Sequence, residues 1–236
     1  MNDNLTLFTY TNSKASDLHD CYFDRIKRFF NPANQVALCD TNIYKDGVVL
    51  SKYNNKSEYH EQIIEALKKV KTDYIIYSQE DYVLFDYVDL DKLKKYINVL
   101  ETDNRISFVR LIHSGIDFTP AQYNDDLIYL ESDHQYYFST QVSVWRKEDF
   151  KQLFESSRTQ AIWDECKNSS YLKNLKKIGL CVKEKGKKIG NHFNSRVYPY
   201  IATAIVKGKW NYSEYPNELE SIYEEYGIKK EIRGIR

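Results

Sequence analysis

The feature that most constrains the fold is the segment at residues 72–81. Its middle part, residues 74–77, is aromatic and β-branched with no charge, which is the pattern of a short strand covered on both faces. Such strands are typical of the parallel sheets of α/β proteins. Glu80 and Asp81 follow directly, at the sheet edge where open α/β folds bind their ligands. Two carboxylates there suit a hard divalent cation, although a polar turn that only ends the strand would show the same pattern.

Strand and helix patterns alternate through the first half of the chain. We predict strands at 5–10, 35–39, 74–77 and 106–112, and helices that begin at about residues 16, 57 and 89. Strands separated by helices of this length pair in parallel through right-handed crossovers.

The second half changes character. It shows shorter strand patterns at 127–130 and 139–145, helix patterns at 147–154, 159–177 and 216–226, and a segment at 200–206 that fits either a strand or a buried turn. At 236 residues the chain suits one domain. We therefore predict a single α/β domain whose mostly parallel central sheet is flanked by helices, with a small antiparallel part in the second half.

The composition excludes some classes of protein. With 34 basic and 34 acidic residues the formal net charge is zero, which argues against a general nucleic-acid binder. We expect a soluble, cytoplasmic protein, because no charged-then-apolar leader opens the sequence and no apolar run approaches membrane-spanning length. Cys21, Cys39 and Cys166 lie in apolar periodic stretches and are predicted to be reduced core thiols. Cys181 forms no close pair with them that would resemble a zinc or redox motif.

Taken in chain order, these elements resemble a glycosyltransferase of the GT-A fold. In that family a strand near the middle of the domain ends in Asp-x-Asp or a variant, and its last carboxylate holds a divalent metal against the diphosphate of a nucleotide sugar. The matching triplet is Gln79-Glu80-Asp81, so the resemblance implies that Asp81 binds Mn²⁺ or Mg²⁺. Gln79 replaces the first aspartate, which leaves open how strongly the site holds a metal and whether Glu80 compensates.

The resemblance also implies a set of residues that contact the donor. These are Thr9, Tyr10, Thr11, Asp40, Glu80 and Lys207. The loop after the first strand and the end of the second strand would meet the base and ribose, while Lys207 and Lys209 flank Gly208 and would meet phosphate oxygens. A solvated loop without ligand contacts would explain the loop residues equally well.

Two later motifs complete the resemblance. The carboxylates Asp164 and Glu165 match an acidic motif before a late helix, whose carboxylate deprotonates the acceptor hydroxyl in inverting members. The sequence does not choose between them, and a solvated helix face is an alternative. His192 matches a late metal-binding histidine, and the segment His113-Ser114-Gly115 would line the acceptor side.

The sequence thus predicts a metal-assisted, inverting transfer of a sugar from a nucleotide donor, with UDP as the expected carrier. The acceptor would be a hydroxyl of a glycan or lipid-linked molecule, with residues 1–112 as the donor half and 113–236 as the acceptor half. Two alternatives remain open. A sugar nucleotidyltransferase also uses strand-end carboxylates and a metal, and a non-catalytic carbohydrate-binding or assembly protein would use the 21 tyrosines as stacking faces.

Overall fold

The computed structural model describes residues 3–113 and 120–236. Its strands are β1 (Leu5–Tyr10), β2 (Asn34–Cys39), β3 (Val48–Lys52), β4 (Tyr74–Gln79), β5 (Ile106–Arg110), β6 (Leu127–Tyr129), β7 (Ser143–Arg146), β8 (Ile178–Val182), β9 (Lys188–Ile189), β10 (His192–Phe193), β11 (Ile205–Val206) and β12 (Lys209–Trp210). Its helices are α1 (Ser16–Phe29), α2 (Tyr59–Leu67), α3 (Leu90–Thr102), α4 (Lys147–Ser157), α5 (Glu165–Asn174), α6 (Pro216–Tyr226) and α7 (Lys230–Arg233). None of these described helices is long and apolar enough to cross a membrane.

Within the described residues, eight strands form one sheet in the order β3-β2-β1-β4-β7-β5-β8-β6. The strands β3, β2, β1 and β4 pair in parallel, as do β5 and β8. β7 runs antiparallel to both of its neighbours, and β6 runs antiparallel to β8. This topology confirms the predicted α/β class, with a mostly parallel sheet and an antiparallel part in the second half.

The strand ends meet at one edge of the sheet. Tyr10 at the end of β1 pairs with Leu38 in β2 and with Gln79 in β4. Because these pairs are parallel, the chain continues into Asp40 and into Asp81 at the same edge. The expectation that the segments ending at these residues are parallel neighbours is therefore confirmed.

The centre of the sheet is covered on both faces, which explains the uncharged pattern of β4. Ile76 faces a cluster that includes buried residues of α1 and α3. Ile75 and Tyr77 face the opposite cluster, which includes buried residues of α2 and α4. Alternate residues of a strand point to opposite faces, so a strand between two helical layers has to be apolar throughout.

Several predicted boundaries are wrong, for local reasons. The second helix begins at Tyr59 rather than at residue 57, because Glu58 is its N-cap and forms a capping box with Glu61. The strand predicted at 139–145 begins at Ser143, because the backbone N–H of Thr140 donates to the Glu165 carboxylate instead of joining the sheet.

The helix predicted at 159–177 is restricted to α5. The carbonyl oxygens of Thr159 and Gln160 accept the backbone N–H groups of His60 and Tyr59 at 3.0 and 3.2 Å, which ties this segment to the start of α2 as a loop.

Cys166 is exposed, so the prediction that it is a core thiol is wrong. The helix buries positions 168, 169 and 172, and Cys166 lies off that face. Residues 201–204 form a buried turn before β11.

Candidate functional site

Three clefts meet at the carboxyl end of β4. The first cleft, of about 710 Å³, is lined by the ends of β1 and β2. The second cleft, of about 730 Å³, is lined by the end of β5, the start of α5 and β10. A small pocket of about 240 Å³ lies between the loop before α1 and the C-terminal segment. Gln79 lines all three, Glu80 lines the first cleft and the small pocket, and Asp81 lines the second cleft and the small pocket.

The lining of the first cleft is rich in aromatic rings. Tyr10 and Tyr53 stack with centroids 5.7 Å apart and planes 7° apart, and Tyr59 meets Tyr10 edge-on at 5.1 Å. The Tyr10 hydroxyl donates to Gln62 Oε1 at 3.1 Å. Trp163 also lines this cleft and is 80% exposed. Flat aromatic faces at a strand-end cleft suit a nucleobase or a sugar ring.

Asp40 holds the loops of the first cleft together. One carboxylate oxygen accepts the Ser13 backbone N–H at 2.6 Å, and the other accepts the Ser13 hydroxyl at 2.8 Å and Asn55 Nδ2 at 2.9 Å. Burial alone would raise the pKa of Asp40, but the hydrogen bonds from Asn55 and Ser13 outweigh it and hold the pKa below its ordinary value. The ionised carboxylate therefore connects the loop after β1 to the segment after β3.

Glu80 and Asp81 form an acidic pair whose ionised state is unfavourable in the folded protein. Burial raises the pKa of both groups, and the charge of Asp81 raises that of Glu80 further. The hydrogen bond with Thr11, the backbone of Ile205 and the charge of Arg233 lower these pKa values only in part. Neither carboxylate forms an ion pair with another described residue. Buried acids in this condition favour a proton or a cation.

Basic side chains line the small pocket beside this pair. They are Lys14, Lys207 and Arg233. Arg233 Nε donates to Asp17 Oδ2 at 3.0 Å and its Nη2 donates to the Lys14 carbonyl at 3.1 Å, so helix α7 is fastened to the first turn of α1 and to the segment before it. Lys207 is exposed and has a left-handed φ of 51°, in the turn between β11 and β12. This pocket places positive charge next to the acidic pair.

Glu165 and Asp164 are adjacent in sequence but point to different places. Glu165 begins α5 and lines the second cleft together with Asp81. Its carboxylate accepts the backbone N–H and the hydroxyl of Thr140. Asp164 accepts two backbone N–H groups of the preceding loop at 3.2 and 3.3 Å and does not line the second cleft. Of the two, Glu165 is the carboxylate that shares a cleft with Asp81.

Three histidines line the second cleft, His113, His134 and His192. Burial lowers the pKa of His192 and of His113, which favours neutral imidazoles. The Nδ1 atom of His113 lies 3.0 Å from the Val182 carbonyl oxygen, and its ring meets Phe193 edge-on at 5.4 Å. A neutral imidazole is a good ligand for a transition metal. Within residues 3–113 and 120–236, however, no group of three or more His, Cys, Asp or Glu side chains is placed to hold a metal ion.

Some residues singled out from the sequence do not line these clefts. Thr9 is buried with its hydroxyl 3.0 Å from the Tyr22 hydroxyl, and Thr11 is buried with its hydroxyl 2.9 Å from His19 Nε2. Both therefore secure the end of β1 from inside. Lys209 is exposed in β12, outside the small pocket. Ser114 and Gly115 lie outside the described residues.

Other residues that line the clefts were not predicted. Arg110 ends β5 and lines the second cleft; its charge within the otherwise uncharged strand predicted at 106–112 was an available signal. Tyr53 follows β3, a strand that was not predicted. Arg233 reaches the site from the far end of the chain through α6 and α7, and no local sequence pattern points to it.

The comparisons with known proteins concern the fold. No known protein-family model and no curated protein matches the sequence. The structure of S. aureus TarS 1-349 matches with a TM-score of 0.51 and 10% identity, over 98% of this chain and 68% of that chain. A longer S. aureus TarS structure gives 0.53 at 10% identity, over 98% of this chain and 41% of that one. This chain therefore spans less than half of the longer TarS structure.

A third similar structure is the mannosyltransferase PcManGT from Pyrobaculum calidifontis in complex with GDP-Man and Mn²⁺. It has a TM-score of 0.48 and 13% identity, over 73% of this chain and 51% of that chain. At 10% identity the two TarS similarities show the fold alone. Together with the strand order, the TarS matches show that the chain has a GT-A-like fold.

Proposed function

We propose that this protein is a glycosyltransferase that moves a sugar from a nucleotide-sugar donor, with UDP as the expected carrier, to a hydroxyl of a glycan or lipid-linked acceptor. One observation supports this most. The carboxyl pair at the end of β4, in which Glu80 is buried and Asp81 is half-buried, lies between a cleft with stacking aromatic faces and a cleft that contains a separate carboxylate, Glu165. Donor and acceptor would occupy the two clefts, and the diphosphate would lie where they join.

The donor half of the site would be built around the first cleft. Tyr10 and Tyr53 would stack on the base, and Asp40, already ionised, would keep their loops in place and face the ribose. Lys207 and Lys14 would meet the phosphate oxygens from the small pocket. Residues 1–112 would thus supply most of the donor contacts. Residues 113–236 would supply most of the acceptor cleft and Lys207.

A divalent cation, Mn²⁺ or Mg²⁺, fits the charge and chemistry of the acidic pair. Asp81 and His192 line the same cleft, and Glu80 and Asp81 have no cationic partner in an ion pair among the described residues. Asp81 and His192 would hold the ion, and diphosphate oxygens and water would supply its other ligands. When bound, the ion neutralises the charge that grows on the departing diphosphate.

Glu165 would act as the general base. An inverting transfer needs a carboxylate within hydrogen-bond reach of the acceptor hydroxyl, on the face away from the diphosphate. Glu165 lines the second cleft with Asp81 and is fixed there by Thr140. Its carboxylate would take the proton of the hydroxyl as the oxygen attacks the anomeric carbon and the bond to the diphosphate breaks.

A sugar nucleotidyltransferase is the closest alternative, and one sequence observation counts against it. Such enzymes use a glycine- and basic-rich phosphate loop after the first strand, whereas residues 11–15 contain one lysine and no glycine. A non-catalytic carbohydrate-binding protein would not need a carboxylate such as Glu165 in the cleft that Asp81 lines.

Donor binding tests the proposal. Isothermal titration of UDP, UDP-glucose and GDP-mannose in MnCl₂ should give binding for at least one of them, and that binding should be lost in Asp81→Ala. Asp91→Ala is the matched control, because that aspartate is exposed on α3 and lines none of the three clefts. Bound donor should also raise the melting temperature, since a ligand at about 100 times its Kd adds about 2.7 kcal/mol of stability. Equal affinities in both variants would remove Asp81 from the donor site.

A further inference from the structure

Arg110 at the end of β5 is a buried cation without a carboxylate partner. It is 5% exposed and lines the second cleft. Its Nη2 donates to the carbonyl oxygens of Tyr136 and Tyr137 at 2.9 Å each, while Nε is buried and has no hydrogen-bond partner in the described part of the chain. No acidic side chain of the described residues forms an ion pair with it.

Two other largely buried arginines, Arg146 and Arg25, are held by partners within the protein. Arg146 in the adjacent strand β7 donates through Nε to the Ile106 carbonyl at 2.9 Å and through Nη2 to further carbonyl oxygens. Arg25 in α1 also leaves Nε without a partner, but its guanidinium is ion-paired with Glu225. Arg110 has neither arrangement, and it is the one of these three that lines a cleft beside the proposed active site.

The groups around the guanidinium compensate its charge only in part. Burial lowers the pKa of Arg110, and the charge of Glu165, which lines the same cleft, offsets this only partly. The Glu165 carboxylate is held by Thr140 and forms no ion pair with the guanidinium. Burying a charge is costly unless it is paired and hydrogen-bonded. A guanidinium without an ion-pair partner in a ligand cleft is therefore suited to bind an anionic group of the ligand. Arginine binds carboxylate and phosphate groups especially well, because its planar donors match their oxygens.

We propose that the second cleft binds an anionic group of a substrate, a carboxylate or a phosphate, against Arg110. This deepens the proposed function and rests on it for the identity of the substrate. The anion belongs either to the donor sugar, which would then be a uronic acid, or to the acceptor, which would then carry an acidic or phosphate group. In both cases Arg110 selects a charged substrate over its neutral counterpart.

Paired titrations test this and separate the two sources. UDP-glucuronate is compared with UDP-glucose for the donor, and glycerol 3-phosphate with glycerol for the acceptor. In wild-type protein the charged member of at least one pair should bind about tenfold or more tightly, the usual effect of a charge-assisted hydrogen bond. Arg110→Gln should abolish that preference and Arg110→Lys should retain part of it. Arg105→Gln, which removes an exposed charge just before the opposite end of the same strand, should leave it unchanged.

The outcomes are distinct. A preference in the donor pair assigns the anion to the sugar, and one in the acceptor pair assigns it to the acceptor. Equal affinities within both pairs in the wild-type protein overturn the proposal, and this comparison needs no variant to fold. A preference that survives in folded Arg110→Gln overturns it as well. Arg110-dependent binding of glycerol 3-phosphate without binding of any nucleotide sugar would leave the anion site in place and refute the glycosyltransferase.

Discussion

Replacing Asp81 by asparagine should make the folded protein more stable at about pH 8 while abolishing manganese-dependent donor binding. Burial raises the pKa values of Glu80 and Asp81, and the two charges repel each other, so ionising the pair costs the folded state free energy. A tenfold change in proton affinity corresponds to about 1.4 kcal/mol. Removing one of the charges should therefore stabilise the metal-free protein by about 2 kcal/mol, and for a chain of this size raise Tm by roughly 4–8 °C.

The effect should depend on pH. The folded state holds these protons more tightly than the unfolded chain, so the free energy of unfolding falls as pH rises from about 4 through the raised pKa values. Wild-type protein and Asp81→Asn should thus unfold alike at about pH 4.5 and differ fully near pH 8. Urea unfolding in EDTA at the two pH values measures the difference. A functional carboxylate that lowers stability is a common trade between activity and stability.

Asp40→Asn is the matched control, with the opposite sign. Hydrogen bonds from Asn55 and Ser13 hold the pKa of Asp40 below its ordinary value, so its ionised form stabilises the fold. That contribution is present above about pH 4, the pKa of an aspartate in the unfolded chain, and is lost as the pH falls through the lower pKa of Asp40 in the folded state. The variant should lose about 1 kcal/mol near pH 8. Two results would contradict this prediction. In one, Asp81→Asn has a lower free energy of unfolding than wild type at pH 8. In the other, the substitution raises that free energy by the same amount at pH 4.5 as at pH 8.

Three further predictions concern single side chains. Glu165→Gln should lower turnover by about 10²–10⁴ with donor affinity unchanged, while Asp164→Asn alters neither; steady-state rates and donor titrations decide, and equal turnover would remove Glu165 as the base. Gly179→Ala should lose about 1–3 kcal/mol in urea unfolding, because its Cβ would lie 2.1 Å from Phe108 Cζ, and an unchanged midpoint would contradict that packing. Trp163→Ala should keep stability within about 0.5 kcal/mol but weaken nucleotide-sugar binding about tenfold in calorimetry; unchanged affinity would exclude a stacking role.

The sequence was most informative where local pattern and burial agree. The uncharged residues of β4 identified a central strand because such a strand has to be apolar on both faces. This strand led to the prediction that its neighbours run parallel to it and that Asp40 and Asp81 follow the same, carboxyl ends of the strands. The strand register confirms both. Helix α6 was also predictable, with Pro216 in its first turn and Gly227 in the left-handed conformation after its end.

The remaining parts depend on contacts between distant segments. β3 lies at the sheet edge with half-exposed residues, so it has no continuous apolar run. β8 contains Gly179, which weakens a strand pattern, yet only glycine leaves room there for Phe108. The start of α5 is set by a backbone hydrogen bond from α2 to the Thr159 carbonyl. Arg233, on the C-terminal helix α7, lines the small pocket beside the acidic pair. No local periodicity encodes these contacts.

Nucleotide-sugar turnover is the most direct test of the proposed glycosyltransferase activity. Purified protein is incubated with UDP-, GDP- and CMP-sugars in MnCl₂ or in EDTA, and the released nucleotide is measured. We expect release of a nucleoside diphosphate from at least one donor in MnCl₂, suppressed by EDTA and by Asp81→Ala and retained in Asp91→Ala. Turnover that is indifferent to EDTA and to Asp81→Ala, or the absence of both turnover and binding for every donor, would contradict it.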